Sequence, residues 1–244
     1  MAKKLSDIQN LIEDKSFLFH KYFYENIDTA IEDFINALKI RTNVFIFSGI
    51  IRDYFLFKNH KPFRDIDLII EDDLILEDIF PNLIYRKNSF GGYKIKFDNA
   101  EIDLWVIKKT WALNQGQLKF EFEYLNALPK TTFFNFSSII YSLNAKRFIV
   151  GVDFLRFLRD KKIELVLEEN PYPDLCIVNS FYYSDKLNLK FGDKLKSYLK
   201  SNYKANEDYL ENIQLKHFGH ILYSDECLKE RIERIMPTAN KELR

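Results

Sequence analysis

The chain has 244 residues, 47% hydrophobic and 30% charged, enough apolar material to core one large domain or two small ones. Its 36 Lys and Arg balance 36 Asp and Glu, so no global basic surplus marks it as a clamp for long nucleic acid, and no DNA partner is expected. Cys176 and Cys227 lack metal-ligand spacing, no 18-residue apolar run spans a membrane, and MAKKLSDIQN is followed by no apolar run of a signal peptide, so a reduced, cytoplasmic protein is expected.

In chain order, Leu11, Phe17, Phe19, Phe23, Ile31, Phe34, Ile35 and Leu38 recur at helical spacing, predicting one or two amphipathic helices over residues 5–39. The apolar run Val44-Phe45-Ile46-Phe47 reads as a buried strand, broken by Ser48-Gly49, with a helix over residues 50–58. Asp65–Ile70 reads as a second strand and residues 76–85 as a short helix. Residues 93–97 and 101–107 form a predicted hairpin, with Asp98-Asn99-Ala100 as its turn and Gly91-Gly92 at its entry. Phe133–Leu143 is an apolar run read as helical, while 150–160 mixes helix and strand tendencies. Beyond Pro171 and Pro173, helices are expected over 175–189 and 194–203, separated by Phe191-Gly192-Asp193, with two more between 208 and 235. The predicted organisation is α+β: residues 1–150, with a helical extension to about residue 39, carry a small mixed sheet flanked by helices, and residues 151–244 form a helical domain.

Asp65 and Asp67 are two apart on a predicted strand, so both carboxylates leave one face while Ile66 enters the core. Asp103, between Ile102 and Leu104, repeats that alternation on a later strand. If the two strands are neighbours, the three carboxylates converge. Such a set repels itself without a cation, and its hard oxygens suit Mg²⁺ or Mn²⁺ in two-metal displacement at phosphorus. Asp-x-Asp alone is more often an acidic alternation on a solvated strand face. Asp is nevertheless a poor strand residue, and three of them cost stability unless a ligand compensates. Ser48-Gly49, between strand and helix, is a small-residue turn whose backbone N–H groups can approach a phosphate. Arg52 and Asp53 follow in the first helical turn, Arg52 suited to a phosphate and Asp53 to holding Arg52 in place.

Taken together, Ser48-Gly49-Ile50-Ile51-Arg52-Asp53, Asp65-Ile66-Asp67 and Glu101-Ile102-Asp103 resemble the head domain of class II CCA-adding tRNA nucleotidyltransferases and bacterial poly(A) polymerases, members of the DNA polymerase β-type superfamily. The resemblance covers residues 40–145, and extends more weakly over 171–203 to that family's neck. It implies a nucleotidyltransferase head in which Asp65, Asp67 and Asp103 bind Mg²⁺ or Mn²⁺ and carry the chemistry. Ser48, Gly49, Arg52 and Asp53 would lie near the triphosphate of an NTP, ATP by preference. A nucleoside monophosphate would pass to a hydroxyl, such as an RNA 3′ end, with release of pyrophosphate.

The sequence also departs from that pattern. Ser48 replaces the first Gly of a Gly-Gly turn. A family Arg-Asp-Phe-Thr-Ile-Asn-Ala run aligns with Thr132–Ser138, without its Arg, Asp and Asn. The neck's base-reading Arg positions fall in Asn179-Ser180-Phe181-Tyr182-Tyr183, leaving Asn179 and Tyr182 as candidate base contacts. Residues 171–244 carry twelve Lys and Arg against eleven Asp and Glu, a weak tRNA clamp by charge. Losing a polar base reader removes strong discrimination, so CCA specificity is not expected. A small-molecule or protein nucleotidyltransferase and a non-catalytic nucleotide- or RNA-binding adaptor remain as alternatives.

Overall fold

The computed structural model describes residues 4–57, 63–88, 90–115, 124–204 and 209–235. The chain divides into two compact units, Met1–Asp160 and Lys161–Arg244.

In the first unit the N-terminal segment forms three helices where one or two were expected: α1 (Leu5–Glu13), α2 (Ser16–Glu25) and α3 (Thr29–Lys39). The breaks have local causes. A turn at Asp14-Lys15 lets Ile8 and Ile12 of α1 and Phe19 and Phe23 of α2 all reach the core. Asp28 caps α3, its carboxylate accepting the Ile31 N–H at 2.9 Å. The strand β1 (Val44–Phe47) leads through Ser48 into α4 (Gly49–Leu56), and β2 (Asp65–Ile70) follows. The helix expected over 76–85 is only the single turn α5 (Leu76–Ile79), because residues 85–87 form a strand, β3 (Tyr85–Lys87). This β3 pairs antiparallel with β4 (Tyr93–Lys96), so Gly91, at φ 79°, turns the chain between β3 and β4. The predicted hairpin is β4 with β5 (Glu101–Val106).

After the short helices α6 (Trp111–Asn114) and α7 (Tyr124–Ala127), the apolar run Phe133–Leu143 departs from its helical reading. It gives one 3₁₀ turn, Asn135–Ser137, then β6 (Ile139–Ser142). All four β6 residues are buried, since β6 lies between β1 and β7 (Arg147–Val150). A strand covered on both faces shows no alternation and reads like a buried helix. The mixed stretch after it is helical, α8 (Val152–Asp160).

The resulting seven-stranded mixed sheet has the order β3-β4-β5-β2-β1-β6-β7, with β2 and β5 parallel and the other neighbours antiparallel. Ile66, Leu68, Ile70, Ile102 and Leu104 line one face and are essentially inaccessible. On the other face Phe45, Ile69 and Ile140 form a cluster with Ile107 and Leu128, joined by Trp105 and Leu113. That cluster covers one end of the face and leaves the end bearing Asp65 and Asp67 uncovered by it.

The second unit is helical: α9 (Pro173–Leu187), α10 (Asp193–Asn202), α11 (Tyr209–Phe218) and α12 (Asp225–Ile235), with a short parallel pair β8 (Lys162–Ile163) and β9 (Lys190–Phe191). Glu164 caps α10, its carboxylate accepting the Leu195 N–H at 2.7 Å and the Lys194 N–H at 3.3 Å. Among the described residues no helix is long and apolar enough to cross a membrane.

Candidate active site

The parallel register of β2 and β5 places Asp67 opposite Asp103 and Asp65 opposite Glu101. Side chains two apart on a strand, and those opposite in register, share a face. The sheet thus assembles a two-by-two array of carboxylates, Asp65 and Asp67 beside Glu101 and Asp103. Ile66 and Ile102 anchor the array from the opposite face, at 1% and 0% exposure. Asp65 is exposed, while Asp67, Glu101 and Asp103 are half-buried.

Electrostatics confirm the crowding. The Asp67 carboxyl is pushed up to about 7, first by burial and then by the charges of Asp103 and Asp65. Lys94 and Arg52 pull the other way. Lys94 on β4 stands opposite Asp103, and its ammonium donates to Asp103 Oδ2 at 3.1 Å and to Glu101 Oε2 at 3.2 Å. Burial lowers the Lys94 pKa, but its hydrogen bonds to Asp103 and Glu101 outweigh that and leave it raised. Arg86 approaches Glu101 from β3 at 3.8 Å.

The Ser48-Gly49 turn joins β1 to α4. Ser48 adopts φ 48° and ψ −85°, a conformation that costs a side-chain-bearing residue energy. Its backbone is tied down: Ser48 N–H donates to the Ile139 carbonyl at 3.4 Å, and its hydroxyl meets that of Ser137 at 2.7 Å. A Cβ built on Gly49 would meet no neighbouring atom within 4 Å among the described residues. The side of Gly49 from which a Cβ would project is therefore open. Arg52 is 5% exposed. Its Nε donates to Asp53 Oδ1 at 2.6 Å, and its guanidinium lies 5.4 Å from the Phe136 ring centroid.

Hard oxygen donors in this array suit a divalent cation such as Mg²⁺, and burial first, then the charges of Asp103 and Asp65, raise the Asp67 carboxyl to about 7. Among the described residues, however, no three His, Cys, Asp or Glu side chains are already gathered as a metal cage. Lys94 holds Asp103 instead. The donor chemistry fits, since Asp65, Asp67 and Asp103 share one face of the β2–β5 pair.

Asn179 and Tyr182 lie on α9 in the second unit. Asn179 is half-buried, and Tyr182 packs edge-on to Tyr183 with ring centroids 5.2 Å apart. Lys94, Ser137 and Phe136 are not among the residues that the sequence pattern marks, and Glu101 is marked only as a neighbour of Asp103. A three-residue turn over Asp98-Asn99-Ala100 would face Asp103 with Ile95, whereas the turn formed is one residue longer, Phe97 N–H donating to the Ala100 carbonyl at 2.9 Å, and it faces Asp103 with Lys94. Ser137 and Phe136 belong to the run misread as helix, which hid their approach to Ser48 and Arg52.

No family model and no curated protein sequence matches the chain. Its fold is similar to several solved structures. A CCA-adding enzyme in complex with ATP aligns at TM-score 0.60 and 16% identity, covering 88% of this chain and 54% of that one. The apo form I of a CCA-adding enzyme aligns at TM-score 0.60 and 14% identity, over 88% and 53%. A tRNA-processing enzyme, apo form I, aligns at TM-score 0.56 and 16% identity, over 86% and 57%. The chain therefore has the fold found in CCA-adding enzymes, and spans about half the length of these proteins.

Proposed function

We propose that this chain is a metal-dependent nucleotidyltransferase. It moves a nucleoside monophosphate from an NTP, ATP first among them, to a hydroxyl acceptor such as an RNA 3′ end. The single observation that carries the reading is the parallel pairing of Asp67 with Asp103, beside the exposed Asp65, on one sheet face. A solvated acidic strand would not hold one of its carboxyls at about 7 through burial and like charges. The likeness in fold to CCA-adding enzymes, one of them solved with ATP, supports the same reading.

In the reaction the acceptor hydroxyl gives up its proton toward Asp103, its oxygen bonds to the α-phosphorus, the bridging α–β P–O bond breaks, and pyrophosphate leaves with that electron pair. Asp65, Asp67 and Asp103 would hold Mg²⁺ or Mn²⁺, which when bound neutralises phosphate charge and makes the acceptor hydroxyl more acidic. The open side of Gly49 and the charge of Arg52, held by Asp53, would receive the triphosphate. Ser48 fixes that turn through Ser137. On the sequence resemblance alone Asn179 and Tyr182 stand where that family reads the base, and their lack of charge favours a permissive base preference over strict selection.

The test is to incubate the protein with each labelled NTP, Mg²⁺ or Mn²⁺, and total RNA. Label should enter RNA, protein or a small molecule, and Asp67→Asn should reduce the transfer at least about a hundredfold. A second reading, a nucleotide-binding adaptor, draws on the Lys94 ammonium seated on Asp103. It predicts NTP binding unchanged by Asp67→Asn and no transfer to any acceptor.

A further inference from the structure

The carboxylate array has a cation of its own, and its placement is asymmetric. Lys94 Nζ lies 3.1 Å from Asp103 and 3.2 Å from Glu101, two residues apart on β5. Asp103 faces Asp67 across the parallel pair, whereas Glu101 faces the exposed Asp65. The Lys94 side chain is 33% exposed, enough room for a flexible four-carbon stem to shift.

We infer that Lys94 is a built-in counter-ion that competes with the divalent ion for Asp103 and retreats onto Glu101 when that ion binds. The inference rests on the nucleotidyltransferase reading of the array. Without metal, the ammonium offsets the charge of Asp103 and limits repulsion with Asp67. With metal, Asp103 is released by a short movement, because Glu101 already accepts a second hydrogen bond from the same nitrogen. Lys94 is thus a positioning residue. It sets the metal concentration at which the site closes, and Glu101 is the acceptor that makes its release inexpensive.

The experiment is a calorimetric Mn²⁺ titration of the full chain without nucleotide, with circular dichroism verifying each fold. Lys94→Gln should bind Mn²⁺ about two- to fivefold more tightly, the range expected for removing one partly exposed competing ion pair. Lys94→Arg, which keeps the charge, should stay near wild type. Glu101→Gln should bind more weakly, because Lys94 is then left with Asp103 alone. In the Lys94→Gln background the Glu101 change should have little effect, whereas a Glu101 acting through its own charge would weaken both backgrounds alike. Saturable binding that is lost in Asp67→Asn but unchanged or weakened in Lys94→Gln overturns the counter-ion role alone. Failure of both wild type and Lys94→Gln to bind Mn²⁺ overturns this role and the nucleotidyltransferase reading together.

Discussion

Asp67 and Asp103 stand directly opposite each other on β2 and β5, the parallel pair of the sheet. Two carboxylates in that position repel, and the buried Ile66 and Ile102 beside them prevent the strands from turning the charges away. The fold therefore stores an electrostatic cost at the place where a divalent ion would relieve it.

The first consequence concerns pH. Asp67 has its carboxyl raised to about 7 in the folded chain, against about 4 when unfolded. The folded state thus binds the proton more tightly than the unfolded state. Its contribution is present in full below pH 4 and is lost as pH rises through 7. Melting curves of the metal-free protein should show this stabilisation fading between pH 5 and pH 8. Added Mg²⁺ or Mn²⁺ should raise the melting temperature more at pH 8 than at pH 5. Asp67→Asn should flatten both trends and stabilise the metal-free protein at pH 8 by about 1–2 kcal/mol. A metal effect independent of pH would contradict the account.

Backbone strain at Ser48 gives a prediction on stability. Ser48→Ala keeps the positive φ and loses the hydroxyl bond to Ser137, for a cost of about 1–2 kcal/mol. Ser48→Gly loses the same bond but relieves the strain, so it should be the more stable of the two by about 1 kcal/mol. Urea unfolding of the pair checks this, and equal midpoints would argue against strain at the turn.

In the second unit, Glu164 and Gly192 act as a lock and its clearance. A Cβ on Gly192 would meet Glu164 Oε2 at 2.1 Å, so Gly192→Ala must push the carboxylate off the start of α10. Gly192→Ala and Glu164→Ala should each cost about 1–2 kcal/mol. The double variant should cost less than the sum, because both remove the same cap. Additive losses in thermal unfolding would refute the shared cause.

Arg52 combines burial, an ion pair with Asp53 and a face-on approach to Phe136. Arg52→Lys keeps the charge but not the planar guanidinium, so a stability loss of about 1 kcal/mol is expected. Its affinity for ATP in the presence of Mg²⁺ should also fall, by about tenfold on the proposed role. Fluorescence titration with a labelled ATP analogue separates the two effects, and unchanged affinity would remove Arg52 from the triphosphate site.

Much of this site is legible in the sequence because its parts are short and well punctuated. Val44–Phe47 is apolar throughout and ends at Ser48-Gly49, while Asp65-Ile66-Asp67 and Ile102-Asp103-Leu104 alternate cleanly. Alternation says which face a carboxylate takes, but not which strand is its neighbour. The pairing of β2 with β5 became visible only in the register. The strand β6 was hidden because Ile139–Ser142 are buried on both faces, which erases the period that separates strand from helix. Its partner β7 is four residues long and follows a turn carrying Lys146 at φ 53°, a conformation its residue type does not advertise. Lys94 reads as an ordinary strand lysine until the β4–β5 register sets it against Asp103.

The account is tested most directly by electron paramagnetic resonance of Mn²⁺ with the wild-type chain and with Asp65→Asn, Asp67→Asn and Asp103→Asn, each with a non-hydrolysable ATP analogue. Bound Mn²⁺ should be present in the wild type and weakened at least about tenfold by every one of the three changes. Wild-type binding in the Asp103→Asn protein would show that the two strands do not share an ion.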